Sequence, residues 1–368
     1  MKEKIRMGII GCGGIAAFHI RGIMESKDLE VKALCDILPE KLEEKMKQSG
    51  VPADSCYDNH IKMMESGKID AVSVCTPNYL HYSMVMDALK HNLPYAVEKP
   101  LCGSEAEAKT LFDETEKKKL PNMVCFSYRF KAAARYARDL ILSGQLGTIY
   151  HISGEYMQAW GLPAADGKLT PRNWRLSKEK AITGTLGDLG SHLIDLYRFI
   201  TGKEFTRITA DMDTFIKKRP MPEGGAGSGA FTGGIKDVDG IVDVDDYINM
   251  AGQMEGPIAV NLSISRYAYG RGNYQRMEVY GDRGAIRYTL EDSDLLEINI
   301  GNSPMRNSHI WCAVPVPPVY SSSQMQSFAD IVNGCQDGLA AGIRDGWKTQ
   351  QVIDKAAIAA ESGVRQII

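Results

Sequence analysis

Apolar residues in the first third of the chain gather in short runs separated by longer amphipathic stretches. Ile5 to Gly11, Leu29 to Asp36, Asp70 to Cys75, Tyr95 to Glu98 and Pro121 to Ser127 read as strands. Runs rich in Val and Ile, without polar alternation, suit strands covered on both faces. Between them, Ile15 to Glu25, Pro39 to Gly50 and Tyr79 to Lys90 read as helices, with Gly50 as a stop and Thr76-Pro77 cutting the strand before the third helix. Strands alternating with helices predict a parallel sheet with helices on both faces.

The pattern changes after Leu146. Gly147 to Tyr156 opens a second unit whose later part is strand-dominated: Phe205 to Met212, Asp245 to Met254, Ile258 to Ser265, Gln275 to Tyr280, Ala285 to Leu290 and Leu295 to Ile300. With Gly281-Asp282-Arg283-Gly284 as a turn, this spacing predicts a mostly antiparallel sheet. Leu186 to Ile200 is a helix inside this unit, and helices over Met325–Val332 and Asp345–Glu361 are expected to pack back across the junction. The division expected is a first domain over 1–127, a second over 128–344, and a C-terminal helix over 345–368. Pro220 to Gly240 is too glycine-dense for a regular element and is expected as a long flexible loop, whether lid, arm toward another subunit, or surface excursion.

Composition narrows the classes. At 368 residues, with 44% hydrophobic and 24% charged residues, the chain has room for two cores of an ordinary soluble protein. A formal net charge of -3 gives no broad basic footprint for nucleic acid. No apolar run nears the roughly 20 residues of a spanning helix, so no membrane partner is expected. The N-terminus enters a strand without an apolar leader, which leads us to expect a cytoplasmic protein. The 8 cysteines are scattered, without a Cys-x-x-Cys pair, and read as reduced, small hydrophobes.

The first candidate chemistry follows the first strand. Gly11-Cys12-Gly13-Gly14-Ile15-Ala16 has the spacing G-x-G-x-x-A at a strand-to-helix turn, and Asp36 ends the next apolar run. Gly11 suits the tight turn, Gly13 the close approach of a pyrophosphate to a helix N-terminus, and Ala16 the close helix–sheet contact. Asp36 would accept from both ribose hydroxyls. Ile37-Leu38-Pro39 offers no arginine for a 2′-phosphate, which favours NAD over NADP.

Glu98-Lys99-Pro100 ends a strand of the same sheet, where ligands lie in such folds. Lys99 there either holds a substrate hydroxyl or is a surface lysine in a loop. Thr76-Pro77-Asn78 ends the preceding strand and turns Asn78 toward the nicotinamide side. In the predicted helix, Asp188, His192 and Asp195 share a face at spacings of four and three, apart from the apolar face of Leu186, Leu189, Leu193 and Ile200. Oxidising a secondary alcohol requires a base for the hydroxyl proton, and histidine suits that task near neutral pH. The alternative is a capping Asp188 with His192 packed between domains, and Asp195 is as suited to a structural hydrogen bond. His19, His60, His81, His151, His192 and His309 are dispersed, so no metal site is proposed.

Taken together, Ile9-Ile10-Gly11-Cys12-Gly13-Gly14-Ile15-Ala16 with His19, Thr76-Pro77-Asn78 with His81 and Glu98-Lys99-Pro100-Leu101, and Gly187 to Asp195 resemble the glucose-fructose oxidoreductase, inositol dehydrogenase and rhizopine-catabolism protein family. The resemblance runs over nearly the whole length and is nearest to the sugar, levoglucosan and glucoside dehydrogenase branches. It implies an N-terminal Rossmann dinucleotide-binding domain and a C-terminal α/β domain with a large, open, mostly antiparallel sheet that forms subunit contacts, in a homodimer or homotetramer. It places Lys99 at the reacting centre with Asp188 and His192, the histidine as acid/base. Cofactor contacts are expected from Gly11, Gly13, Gly14, Ile15, Ala16, Asp36, Thr76, Pro77, Asn78, His81, Glu98 and Lys99, and substrate contacts from Tyr128, Arg129, Arg172, Trp174, Asp188 and His192.

The expectation is therefore NAD-dependent hydride transfer at a ring secondary hydroxyl or ketone of a sugar, cyclitol or glycoside. The alternatives are a glycoside-cleaving enzyme that retains NAD and oxidises its substrate only transiently, and a non-catalytic NAD-binding regulator.

Overall fold

The first strands form where the apolar runs lie. The computed structural model describes residues 3–223, 234–291, 293–300 and 310–368. Strands β1 (Ile5–Ile10), β2 (Leu29–Cys35), β3 (Cys56–Tyr57), β4 (Ala71–Val74), β5 (Tyr95–Val97) and β6 (Asn122–Val124) form one sheet in the order β3-β2-β1-β4-β5-β6. All its neighbours pair in parallel. Helices α1 (Ala16–Glu25), α2 (Pro39–Ser49), α3 (His60–Glu65), α4 (His81–Lys90) and α5 (Glu105–Lys118) connect these strands. The order reverses between β1 and β4, which opens a crevice at the strands' C-terminal ends. Separate apolar clusters fill the two faces, one around Ile9, Ile20 and Ile23, the other around Val72, Val97 and Leu111.

After α6 (Ala132–Leu142), strand β7 (Ile149–Met157) enters a nine-stranded sheet. The remaining elements are α7 (Lys178–Ala181), α8 (Ser191–Thr201), β8 (Phe205–Asp213), β9 (Lys218–Pro222), β10 (Ile235–Ile241), β11 (Tyr247–Met254), β12 (Ala259–Ser265), β13 (Tyr274–Gly281), β14 (Gly284–Leu290), β15 (Asp294–Ile300), β16 (Cys312–Ala313), α9 (Gln324–Val332), α10 (Ile343–Ser362) and β17 (Gln366–Ile367). The sheet order is β16-β15-β14-β13-β7-β12-β11-β8-β17, and only β7–β12 pairs in parallel among the described strands. Helices α6, α8 and α10 supply the apolar cover of one face, through Ala137, Leu193, Ile200 and Val352 against Ile152, Ile208 and Val279. The other face is polar, with Ser153, Glu155, Asp211, Asn249 and Ser263 around a shallow concavity of about 570 Å³.

Three expectations change. The stretch to residue 344 does not stay with the second domain. Met325, Phe328 and Ala329 of α9 bury in the same cluster as Ile20 and Ile23 of α1, and Ala341 and Ile343 join the opposite face of the parallel sheet. This is the packing back across the junction expected for Met325–Val332, and it moves the domain limit expected at 344. The helix expected over 345–368 is α10 followed by β17, which extends the nine-stranded sheet beside β8. Pro220 to Gly240 is bounded by β9 and β10, which pair as an antiparallel hairpin. Its glycine-rich tip, 224–233, lies outside the described residues. The hairpin is anchored by Arg219, which is fully buried and donates to Thr170 Oγ1 at 2.8 Å, to Tyr267 Oη at 2.9 Å and to the Gly161 carbonyl. These bonds tie the base of the hairpin to the 161–170 segment and to Tyr267.

Candidate active site

The glycine motif forms as its spacing requires. Gly11 has φ +89, and a Cβ there would stand 2.8 Å from the Cys75 carbonyl oxygen. Only glycine brings the β1 end this close to the β4 end. A cleft of about 330 Å³ opens above it, lined by Gly11, Gly13, Gly14, Ile15, Asp36, Thr76, Pro77, Asn78, Glu98 and Lys99. Asp36 is fixed by its own loops, since Oδ2 accepts from the Cys12 amide at 2.6 Å and Oδ1 from the Leu38 amide at 2.9 Å. A free carboxylate lone pair remains for a hydroxyl donor. Gly14 has no neighbour within 4 Å of where its Cβ would stand, so the cradle is open to a ligand. These residues fit a dinucleotide.

A second cavity, of about 1140 Å³, runs from the Lys99 loop into the other domain. Ile15, Glu98, Lys99, Arg175 and Asp188 border both spaces, so the two meet there. Lys99 follows β5, and its Nζ donates to the Asp188 carbonyl at 2.8 Å and to Asp188 Oδ1 at 3.0 Å. Arg175 Nε stands 3.6 Å from Asp188 Oδ2. Burial alone would raise the Asp188 carboxyl, but Lys99 and Arg175 outweigh it and hold it far below the usual carboxylate range.

His192 enters this cavity from α8. The segment before it, Leu186–Gly190, is a π-helical turn, a distortion frequent at functional sites. Asp245 anchors that turn, accepting from the Gly184 amide at 2.6 Å, from Thr185 Oγ1 at 2.7 Å and from the Leu186 amide at 2.7 Å. The capping function that Asp188 would have had falls to Asp245, leaving Asp188 to Lys99. His192 is 7% exposed, with the Tyr128 ring edge-on at 4.6 Å. Burial and the Lys99 charge push its imidazole well below its ordinary value, against the opposing pull of Asp188. It is a neutral base at pH 7.

Tyr128 and Arg172 line the large cavity as expected from sequence. Around them, Tyr156 shares a hydrogen bond with Tyr128 at 2.6 Å and donates to Asn273 Oδ1 at 2.6 Å, while Gln158 Nε2 donates to the same oxygen at 2.9 Å. Sequence reasoning missed Tyr156, Gln158 and Asn273. They come from β7 and from the turn before β13, and no local motif marks them. Arg175, next to Trp174 in the chain, is a further residue at the border of the two cavities, and only the fold sets it against Asp188.

Four expected residues stand elsewhere. Arg129 does not face the cavity. Its guanidinium is buried and donates to Asp195 at 2.6 and 2.7 Å and to Asp345 at 3.3 Å. Asp195 is thereby structural, because a fully buried helix such as α8 must partner its charges. Trp174 borders the dinucleotide cleft and not the large cavity, its ring under the Arg175 guanidinium at 4.5 Å. His81 is buried behind the cleft, 2.8 Å from the Pro100 carbonyl and 2.9 Å from the Thr76 carbonyl, where it braces two cleft loops without reaching the ligand space. Ala16 is buried under the motif.

Although the sequence proposes no metal cluster, the fold brings ligand-type atoms of His19, Glu98 and Cys125 within 4.8 Å of one another. His309 lies outside the described residues. Cys12, Cys35, Cys75, Cys102 and Cys125 are buried free thiols. No helix among the described residues is long and apolar enough to cross a membrane.

Comparison with known proteins matches both halves. An oxidoreductase family with an NAD-binding Rossmann fold matches residues 5–126, and the GFO/IDH/MocA C-terminal domain matches residues 134–287. Levoglucosan dehydrogenase of Pseudarthrobacter phenanthrenivorans is 31% identical over 304 residues, 80% of this chain and 76% of its own. Glucose-6-phosphate 3-dehydrogenase of Bacillus subtilis is 27% identical over 285 residues, 77% of this chain and 74% of its own. An oxidoreductase domain protein from Kribbella flavida has a similar structure, with a TM-score of 0.88 at 25% identity and 100% of both chains covered.

Proposed function

This chain belongs to the GFO/IDH/MocA family of NAD-binding oxidoreductases, and we propose that it oxidises a ring secondary hydroxyl of a sugar, cyclitol or glycoside, or reduces the matching ketone. The observation that carries this reading is the meeting of a cation, a carboxylate and a neutral imidazole, Lys99, Asp188 and His192, beside the opening between the two cavities.

NAD, when bound, supplies the two-electron acceptor, and its cleft is the one around Gly11 to Ile15 and Asp36. His192 takes the hydroxyl proton in oxidation and returns it in reduction. Its depressed pKa keeps it unprotonated and ready at neutral pH. An ammonium has three N–H donors. Lys99 directs two to Asp188, which leaves one for the substrate oxygen as negative charge grows there. Asp188 holds Lys99 in place. Tyr128, Gln158, Asn273 and Arg172 give the cavity donors and acceptors for hydroxyl groups, and Trp160 gives it an apolar wall.

The relatives named above act, by their names, on levoglucosan and on C3 of glucose 6-phosphate. This supports a carbohydrate substrate and a hydroxyl on the ring. We further propose that the polar open face of the nine-stranded sheet pairs subunits in a homodimer or homotetramer.

The test is purified protein with NAD and a panel of free sugars, cyclitols and glycosides, followed by NADH absorbance and product chromatography. The reading predicts stoichiometric NADH and a keto product. Glycoside cleavage without net NADH would replace it with the transient-oxidation mechanism.

A further inference from the structure

His19 stands in the opening motif, yet no role above uses it. It projects from α1 to the wall of the large cavity and is 3% exposed. Its Nε2 lies 2.8 Å from Glu98 Oε1, and its Nδ1 lies 2.7 Å from Ser73 Oγ at β4. The other Glu98 oxygen, Oε2, accepts from the Lys99 amide at 3.2 Å. Both oxygens of a buried carboxylate are thus held by the chain at the border of the two cavities. A carboxylate has about four lone-pair sites, so acceptor capacity remains after these two bonds.

The surroundings of His19 and Glu98 favour an ion pair. Burial opposes a positive His19, but Cys75 and Glu98 outweigh it and raise the imidazole to about 10. Burial likewise opposes a negative Glu98, and His19 outweighs that, with Lys99 and His81 adding to it. Without His19, Glu98 would be a buried carboxylate lacking its side-chain partner, free to turn or to take up a proton.

We propose that His19 is a positioning residue for NAD: it fixes the Glu98 carboxylate beside Lys99 so that a remaining lone pair accepts a hydroxyl of the nicotinamide-side ribose. The effect passes through Glu98 and not through contact of His19 with the cofactor. The inference rests on NAD binding and on Glu98 facing it, and is independent of which sugar is oxidised.

The test is a fluorescence titration of NADH, without sugar, on wild type, His19→Asn, His19→Gln, Glu98→Gln and the double variant His19→Asn/Glu98→Gln. Asn keeps a group near Nδ1 and loses the one that reaches Glu98, whereas the Gln amide nitrogen occupies the place of Nε2. His19→Asn is expected to weaken NADH binding about ten-fold, the size of one lost hydrogen bond to a charged group. His19→Gln is expected to return to within about two-fold of wild type, and the double variant to bind no more weakly than Glu98→Gln alone. Wild-type binding by His19→Asn overturns the proposal. So does equal impairment of the Asn and Gln variants, or additive losses in the double variant. If His19→Asn does not fold, His19→Gln and Glu98→Gln decide: the first must bind as wild type and the second must show the loss, and any other pair of results overturns the assignment. Because no sugar is present, a failed sugar panel leaves this result standing.

Discussion

Lys99 Nζ binds Asp188 twice, at 2.8 Å through its carbonyl oxygen and at 3.0 Å through its carboxylate. One residue follows β5 of the parallel sheet, the other lies in the π-helical turn that leads into α8 of the second domain. The Lys99–Asp188 contact therefore forms only when both domains are docked. The same pair sets the electrostatics, because Lys99 lowers Asp188 and also, after burial, depresses His192.

Replacing Lys99 with Met removes that charge. Activity should fall by about 10²-fold or more, the size of one lost donor at a developing oxyanion. The residual activity carries a second signature. The His192 pKa should rise, moving the acid limb of kcat/KM to higher pH than in wild type. A pH–rate profile of Lys99→Met with an unmoved acid limb would show that Lys99 and His192 are not coupled.

In wild type, the acid limb of kcat/KM should fall below the ordinary imidazole value of about 6.5. The sign for stability is the same. The folded His192 pKa lies below the unfolded one, so its neutral form contributes stability above about pH 6.5, lost as the unfolded chain binds a proton below it. His19 runs the other way. Its folded pKa is raised, so its contribution is full below about pH 6.5 and is lost as pH rises toward about 10. Denaturant titrations across this range, with His192→Asn as reference, should show wild type losing stability relative to the variant on the acid side.

Arg129→Leu should destabilise the fold by about 3–5 kcal/mol, since it takes both direct hydrogen bonds from the buried Asp195 and leaves it only Arg198, at 3.8 Å. Urea midpoints measure this loss. A direct substrate role for Arg129 would instead give a raised KM for sugar at unchanged stability.

Asp36→Ala should raise the KM for NAD about ten-fold or more with little change in the KM for sugar, because only the dinucleotide cleft contains Asp36. A sugar KM that rises equally would place the carboxylate in the wrong cavity.

Local chemistry explains what could be read from the chain. The Gly11 turn, the Asp36 terminus and the strand–helix alternation depend on neighbours in sequence, and the expected elements of the first domain form within a residue or two, except that β6 ends at Val124 and not at Ser127; β3, α3 and α5 carry no pattern that singled them out. Lys99, Asp188 and His192 were marked by motifs whose spacing is also local. What escaped depends on pairings distant in the chain. Arg129 is polar and near the cleft, but only the fold reveals Asp195 and Asp345 around it. Trp174 and Arg172 are two residues apart and border different cavities, because a short turn at Trp174–Leu176 redirects the chain. Asn273 has no sequence signal at all, and its role follows from β13 lying beside β7. The β9–β10 pair is anchored by Arg219, whose partners lie about fifty residues away in the chain.

The most direct test of the account is His192→Asn, with NADH formation on the best wild-type substrate measured beside NADH affinity. A general base contributes about 10²–10⁴-fold, so the rate should fall by that much while the dinucleotide binds as in wild type. A variant that keeps the wild-type rate would contradict the assignment of His192 as the base.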